Sequence, residues 1–211
     1  MKRILCYGDS NTWGTNPETG ERYDENTRYP KVLEKLLGAD YEVIEEGFPG
    51  RTTVYDTDVD PYVNGRKYLY PCLSSHAPLE LVTIMLGTND LSTGVKVNAY
   101  YAAAGVERLV NLIRHWSIDC RCKCPEILLI SPPLIDEKIK DIPVIKEVFD
   151  YNYAPAQSRL FRQYYSDVAQ TTGCKFLAGE DYVTVGCDGV HITAESHIRL
   201  AKAIFTEIAP F

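Results

Sequence analysis

Apolar residues follow two rhythms along this chain. Short runs at residues 4–7, 41–44, 79–86, 127–130 and 174–178 are nearly continuous in apolar side chains. That is the pattern of strands buried on both faces rather than on one. Between them the spacing lengthens to a helical period. Tyr29, Val32, Leu33, Leu36 and Leu37 share one helix face, and Gly38 is a natural stop. Val106, Leu109, Val110, Ile113 and Trp116 repeat the spacing, as do Leu160, Phe161, Tyr164, Tyr165 and Val168 ahead of Gly173. A last helix is predicted to open on Thr193 as its N-cap and to bury Ile198, Ala201, Ile204 and Ile208.

Strands that alternate with helices imply a parallel sheet covered on both sides. Five such strands predict a flavodoxin-like three-layer α/β/α sandwich with a five-stranded parallel sheet. The order 2-1-3-4-5 follows by analogy with that fold. With no internal repeat or linker, residues 1–211 are expected to form a single domain. Two stretches do not fit this alternation. Residues 51–78 carry Asp56, Asp58, Asp60, Pro61 and Asn64-Gly65, and residues 132–155 carry four prolines. Both read as long loops following strand C-terminal ends, where open α/β sheets place their ligands.

Charge and cysteine content narrow the function classes. Lys+Arg 22 against Asp+Glu 29 leaves a net charge of −7. No basic run is present, which argues against a nucleic-acid or anionic-membrane partner. No apolar run reaches the length of a membrane span, and the run at residues 4–7 is too short for a signal-peptide core. Seven cysteines are too few for a disulfide scaffold, and a reduced, cytoplasmic protein is expected. Only His76, His115, His191 and His197 are available for histidine chemistry.

The polar residues at strand ends carry the chemistry. Gly8-Asp9-Ser10-Asn11 follows the first strand. A serine there sits where a helix N-terminus presents free N–H groups, which suits an activated hydroxyl. It equally suits a plain helix cap, and the tetrapeptide alone leaves both readings open. Three further segments shift the balance. Asp188-Gly189-Val190-His191 places an acid three residues before a histidine, so that it can hold Nδ1–H and leave Nε2 as a base. Gly47-Phe48-Pro49-Gly50 follows the second strand, where glycine lets backbone N–H approach a ligand oxygen. Gly87-Thr88-Asn89-Asp90 follows the third and offers an amide donor. Together these are the parts of an acyl-transfer centre.

These four segments, in this order and spread over almost the whole chain, resemble the SGNH hydrolases, also called GDSL-type esterases. The likeness is strongest to the bacterial arylesterase/acyltransferase-like subgroup, through residues 4–10, Thr12-Trp13-Gly14, Glu45-Glu46-Gly47, Arg51-Thr52-Thr53 and residues 84–87. The resemblance implies a serine esterase in which Ser10 attacks a small, short-acyl ester, His191 accepts its proton and Asp188 orients the imidazole. It implies an oxyanion hole of the Ser10 N–H, the Gly50 N–H and the Asn89 amide, with an acyl-enzyme passed to water or an alcohol. Trp13 is placed near the acyl pocket, although core packing explains it equally well. No metal or cofactor is implied, and a homo-oligomer is expected. The chain departs from the family pattern at Asn11, where the family name implies leucine, and at Glu46, where many members carry asparagine. Asn11 is expected to do no chemistry.

The same triad would serve a carbohydrate O-deacetylase, a thioesterase or a lysophospholipase. A non-catalytic flavodoxin-like binder of FMN or phosphate is disfavoured, because the first loop lacks the glycines and hydroxyls such loops use. His115 and His197 are assigned surface or packing roles, and His76 a place near the pocket. Cys120, Cys122 and Cys124 lack a second ligand cluster, so they are read as exposed thiols rather than a zinc site. Asp56, Asp58 and Asp60 lack the glycine and terminal glutamate of a calcium loop and are read as solvated.

Overall fold

The computed structural model describes residues 1–58 and 60–208. Its centre is a parallel sheet of β1 (Lys2–Gly8), β2 (Tyr41–Gly47), β3 (Leu81–Met85), β4 (Glu126–Ile130) and β5 (Lys175–Leu177). The strand order is β2-β1-β3-β4-β5, as the analogy predicts. The helices are α1 (Ser10–Trp13), α2 (Tyr29–Leu37), α3 (Gly65–His76), α4 (Ala99–Asp119), α5 (Pro143–Val148), α6 (Ala154–Ser158), α7 (Phe161–Thr172) and α8 (Ala194–Ile208).

Strand alternation divides the core into two. Leu5, Tyr7, Val82, Ile84, Ile127 and Leu129 pack with Leu69 and Leu73 of α3, Val106, Leu109, Val110 and Ile113 of α4, and Phe161 and Tyr165 of α7. Ile4, Cys6, Val43, Leu81, Leu128 and Ile130 turn the other way, onto Tyr29 and Leu33 of α2 and Leu200 and Ile204 of α8. Successive strand residues point to opposite faces. Continuous apolar runs are therefore required when helices cover both, and that is why these strands show no polar alternation.

Helix termini follow local chemistry. Gly38 ends α2 at φ +81° and Gly173 ends α7 in the left-handed region. Thr193 caps α8 as expected, its Oγ1 accepting from the Ser196 N–H at 3.2 Å. Two boundaries are shorter than predicted, with β3 at Leu81–Met85 and β5 at Lys175–Leu177.

The two long loops need correction. Within 51–78, apart from residue 59, which lies outside the described residues, the second half is helix α3, opened by the Asn64 side chain accepting from the Lys67 N–H. Pro71 inside this helix and its mixed polar and aromatic faces hide it from a periodicity reading. Residues 132–155 hold a 3-10 turn at Glu137–Asp141, then α5 and the start of α6. Pro143 and Pro155 stand in first turns, where a missing N–H costs nothing, so here proline starts helices.

Candidate active site

Register brings the sequence segments to one edge of the sheet. Gly8, at the end of β1, pairs with Gly47 at the end of β2 and with Met85 at the end of β3. The three segments after these strands therefore start side by side, at the carboxyl ends where α/β sheets place ligands.

Asp9 caps α1, its Oδ1 accepting from the Asn11 N–H at 2.9 Å, and puts Ser10 at the first helical position. The Ser10 N–H is thus one of the donors that a helix leaves without an internal acceptor. The Ser10 hydroxyl lies 2.9 Å from His191 Nε2, and His191 Nδ1 lies 2.6 Å from Asp188 Oδ2. The other Asp188 oxygen accepts the backbone N–H groups of Val190 and His191, both at 2.9 Å. Burial pushes the Asp188 carboxyl up, but the His191 hydrogen bond and these backbone donors outweigh it and hold the pKa below the usual carboxylate value. Asp188 is therefore an anion that orients the imidazole. The structure brings Ser10, His191 and Asp188 into one hydrogen-bonded chain across 181 residues of sequence.

The loop after β2 is held against the Ser10 segment from below. Arg51 is buried, and its Nη1 donates to the carbonyls of Gly8, at 2.9 Å, and Glu46. Its guanidinium lies over the rings of Tyr7, Phe48 and Tyr68, at 4.3, 5.6 and 5.4 Å from their centroids. The turn's own hydrogen bond runs from the Arg51 N–H to the Phe48 carbonyl, leaving the Gly50 N–H out of it. Gly50 adopts φ +81°, which favours glycine. Gly47 is required for a different reason: a Cβ there would strike the Trp13 N, with Thr12 C and Trp13 Cα at 2.6 Å.

The third segment locks onto the second. Asn89 Nδ2 donates to the Arg51 carbonyl at 3.0 Å, which fixes the amide beside Gly50 with its second N–H unused by that bond. The Asp90 carboxylate accepts from the Thr53 N–H at 3.0 Å and from the Thr53 hydroxyl. Burial pushes the Asp90 carboxyl up to about 7 and that of Asp9 up to about 6. Asn89 is therefore bonded to the residue that follows Gly50.

Other predicted residues separate from this cluster. Trp13 is half-buried, with Arg22 over its ring at 5.3 Å. His197 is fully buried, accepts the Tyr29 N–H at Nδ1, and is pushed down to about 3 by burial. His115 is exposed and bonds the Asn111 carbonyl. His76 pairs with Glu46 at 2.8 Å, away from the Ser10–His191 chain. Asp56 pairs with Lys67. Cys120 and Cys124 are exposed and Cys122 half-buried. Among the described residues the one group with metal-ligating geometry is instead Glu46, Cys72 and His76.

Two residues have larger roles than sequence reasoning assigned. Asn11, expected to do no chemistry, is buried, and its Oδ1 accepts from the Ile192 N–H at 2.9 Å while Nδ2 donates to the Val190 carbonyl at 3.5 Å. It ties the Ser10 helix to both flanks of His191. Arg51 was seen only as part of a segment. A buried arginine beside Gly8, Gly47 and Gly50 is not a pattern that periodicity can single out.

Comparison with known proteins gives a consistent picture. The GDSL-like lipase/acylhydrolase family matches residues 6–197. A carbohydrate acetylesterase from Sinorhizobium meliloti is 34% identical, with 99% of each chain covered and a TM-score of 0.90. The inhibitor-bound aryl esterase of M. smegmatis is 35% identical, covering 99% of this chain and 98% of its own, with a TM-score of 0.91. A lipase/acylhydrolase from Enterococcus faecalis, at 18% identity and a TM-score of 0.70, shares the fold. The comparison with curated proteins gives no match. The parallel sheet, the polar cluster on its carboxyl edge and the family match over residues 6–197 together show that this chain belongs to the GDSL-like lipase/acylhydrolase family of SGNH hydrolases and is a carboxylic ester hydrolase.

Proposed function

We propose that the enzyme cleaves small, short-acyl esters through Ser10, His191 and Asp188. The observation that carries this reading is the unbroken chain Ser10 Oγ, His191 Nε2, His191 Nδ1, Asp188 Oδ2, with links of 2.9 and 2.6 Å. As the Ser10 oxygen bonds to the ester carbonyl carbon, its proton passes to His191 Nε2. The carbonyl oxygen takes up negative charge facing the Ser10 and Gly50 N–H groups and the Asn89 amide. Collapse of this intermediate expels the alcohol, which takes the proton from His191. Water then repeats the sequence on the acyl-enzyme and releases the acid and Ser10. An alcohol in place of water gives acyl transfer. Each oxyanion donor contributes about 10²- to 10³-fold in rate.

A cavity of about 540 Å³ adjoins the oxyanion loop at Gly47 and Phe48, and Tyr62, Tyr68, Asn64 and Lys67 also line it. Aromatic faces beside hydrogen-bonding groups suit an aryl alcohol or a sugar ring. Acetylated carbohydrate is therefore the second reading, in keeping with the acetylesterase relative. Residues 1–211 act as one domain. Tyr62, Tyr100 and Tyr101 present exposed rings that support association into a homo-oligomer. No helix among the described residues is long and apolar enough to cross a membrane. Seven unpaired cysteines support a reducing, cytoplasmic setting.

The test is an acyl-chain series on p-nitrophenyl esters, with acetylated sugars in parallel, for wild type and Ser10→Ala. Wild type is expected to favour acetate and to be labelled by a fluorophosphonate. Ser10→Ala should lose both turnover and labelling. Retained turnover in a folded Ser10→Ala protein overturns the mechanism, and a preference for long acyl chains overturns the substrate assignment. Light scattering that finds only a 24 kDa species overturns the oligomer.

A further inference from the structure

We propose that Glu46, Cys72 and His76 form a binding site for one divalent cation of the zinc class, at the Glu46 wall of the cavity beside the oxyanion loop and outside the Ser10–His191–Asp188 chain. Cys72 and His76 stand four residues apart on α3 and so share one face of the helix. Glu46 reaches them from the last turnless residues of β2. One carboxylate oxygen, the thiol sulfur and one imidazole nitrogen all lie within 4.8 Å of one another.

The donor set selects the ion. Thiolate and imidazole are poor ligands for magnesium or calcium, whereas sulfur, nitrogen and oxygen together suit zinc. At ligand distances of about 2.0–2.3 Å, tetrahedral donors stand roughly 3.4–3.8 Å apart. The His76–Glu46 contact at 2.8 Å therefore has to open by about half an ångström around the ion, a side-chain adjustment. Cys72 is buried, but the side chains of Glu46 and His76 are 17% and 30% exposed, so the ion arrives from their side and water can complete the coordination.

The surroundings are compatible with this charge balance. Binding replaces the thiol proton with the metal, Cys72–SH plus M²⁺ giving Cys72–S–M⁺ plus H⁺, and the Glu46 carboxylate neutralises the remaining charge. Arg51 is the nearby cation. It directs Nη1 to the Gly8 and Glu46 carbonyl oxygens and leaves the Glu46 carboxylate to His76 and to the Tyr68 hydroxyl at 3.4 Å. Cys120, Cys122 and Cys124 form no comparable group. Because Glu46 immediately precedes Gly47, an ion here would clamp α3 to the base of the oxyanion loop without entering the chemistry.

Zn²⁺ and Co²⁺ added to chelator-treated protein provide the test. Wild type is expected to retain one Zn²⁺ per chain through dialysis and, with Co²⁺, to show a thiolate-to-cobalt charge-transfer band. Zn²⁺ at a hundredfold excess over its Kd should raise Tm by roughly 5–10 °C. Cys72→Ala and His76→Gln should each lower affinity by more than the roughly 10- to 100-fold that loss of an outer-shell partner costs. The cobalt band should vanish only in Cys72→Ala. The triple Cys120→Ser, Cys122→Ser, Cys124→Ser protein and His191→Ala should bind as wild type does. His76 is half-exposed, so His76→Gln keeps the test open if the core variant fails to fold. Absence of stoichiometric uptake by wild type, uptake that survives His76→Gln or Cys72→Ala unchanged, or its loss in the triple variant overturns the site. None of these readouts depends on ester cleavage.

Discussion

Replacing Asn11 by alanine tests whether the two ends of the chain are coupled through a single amide. The Ile192 N–H, now satisfied at 2.9 Å inside the protein, would lose its acceptor with no water to replace it. A lost neutral hydrogen bond costs about 1 kcal/mol, and a buried donor left unmade costs about 1–3 kcal/mol in total. The Val190 contact at 3.5 Å is long and adds little. A destabilisation of about 1–3 kcal/mol corresponds to a fall in Tm of roughly 2–12 °C for a chain of this size. Activity should fall further than stability alone requires, because residues 190–192 carry the imidazole. Displacement of a reacting group by about 1 Å costs on the order of 100-fold. Differential scanning calorimetry and kcat/KM on p-nitrophenyl acetate below the transition give the two numbers. A double-mutant cycle with Asp188→Ala then asks whether both residues act through His191, in which case their losses are less than additive. An Asn11→Ala protein with unchanged Tm and unchanged kcat/KM would refute the clamp. Strict additivity with Asp188→Ala would show that it acts elsewhere.

Further outcomes follow from the same geometry. Asp188→Asn keeps the shape but removes the anion that fixes the imidazole, and kcat should drop by about 10³- to 10⁴-fold with the fold intact, measured by steady-state kinetics and circular dichroism. Asp90 and Asp9 are raised by burial to about 7 and about 6, so between pH 4 and 7 the folded protein holds protons that the unfolded chain releases. Their contribution to stability is therefore greatest at the acid end and is lost as pH rises through those values. Asp90→Asn should flatten the fall of Tm across this window, and an unchanged slope would count against the assignment. Gly47→Ala drives a methyl group into the α1 backbone at the Thr12–Trp13 peptide, with no rotamer to escape through. It should cost about 3 kcal/mol or more in urea unfolding. Arg51→Lys cannot span the Gly8 and Glu46 carbonyls and stack on Tyr7 at once, so a loss of about 1–3 kcal/mol is expected in the same assay.

What could be read from sequence was whatever depends on local repetition or close spacing. The two-sided burial of β1, β3 and β4 leaves continuous apolar runs, and those runs located the sheet. Asp188 and His191 lie three residues apart, so their pairing is a property of one turn. Helix α3 escaped notice because Pro71 and the aromatic residues around it obscure a helical period that only Leu69, Cys72 and Leu73 satisfy on the inner face. Asn11 escaped because its partners at Val190 and Ile192 are distant in sequence and are backbone groups, which leave no trace in residue identity. Cys72 lay within a supposed loop, while Cys120, Cys122 and Cys124 drew attention by adjacency alone. Cysteines become ligands through a shared helix face and a strand end arriving opposite, and that needs the fold.

The placement of Ser10 and His191 at opposite ends of the described chain also orders events during synthesis. Ser10 leaves the ribosome long before His191, just after a strand that must wait for β2 and β3 to flank it. His191 is made after all five strands, and α8, which follows it, must dock on α2 before the imidazole is held. Until then the Ser10 hydroxyl lacks its imidazole partner. The stretch between Ser10 and His191 can therefore be made before the Ser10 hydroxyl meets the imidazole, and that contact forms together with closure of the second face of the sheet.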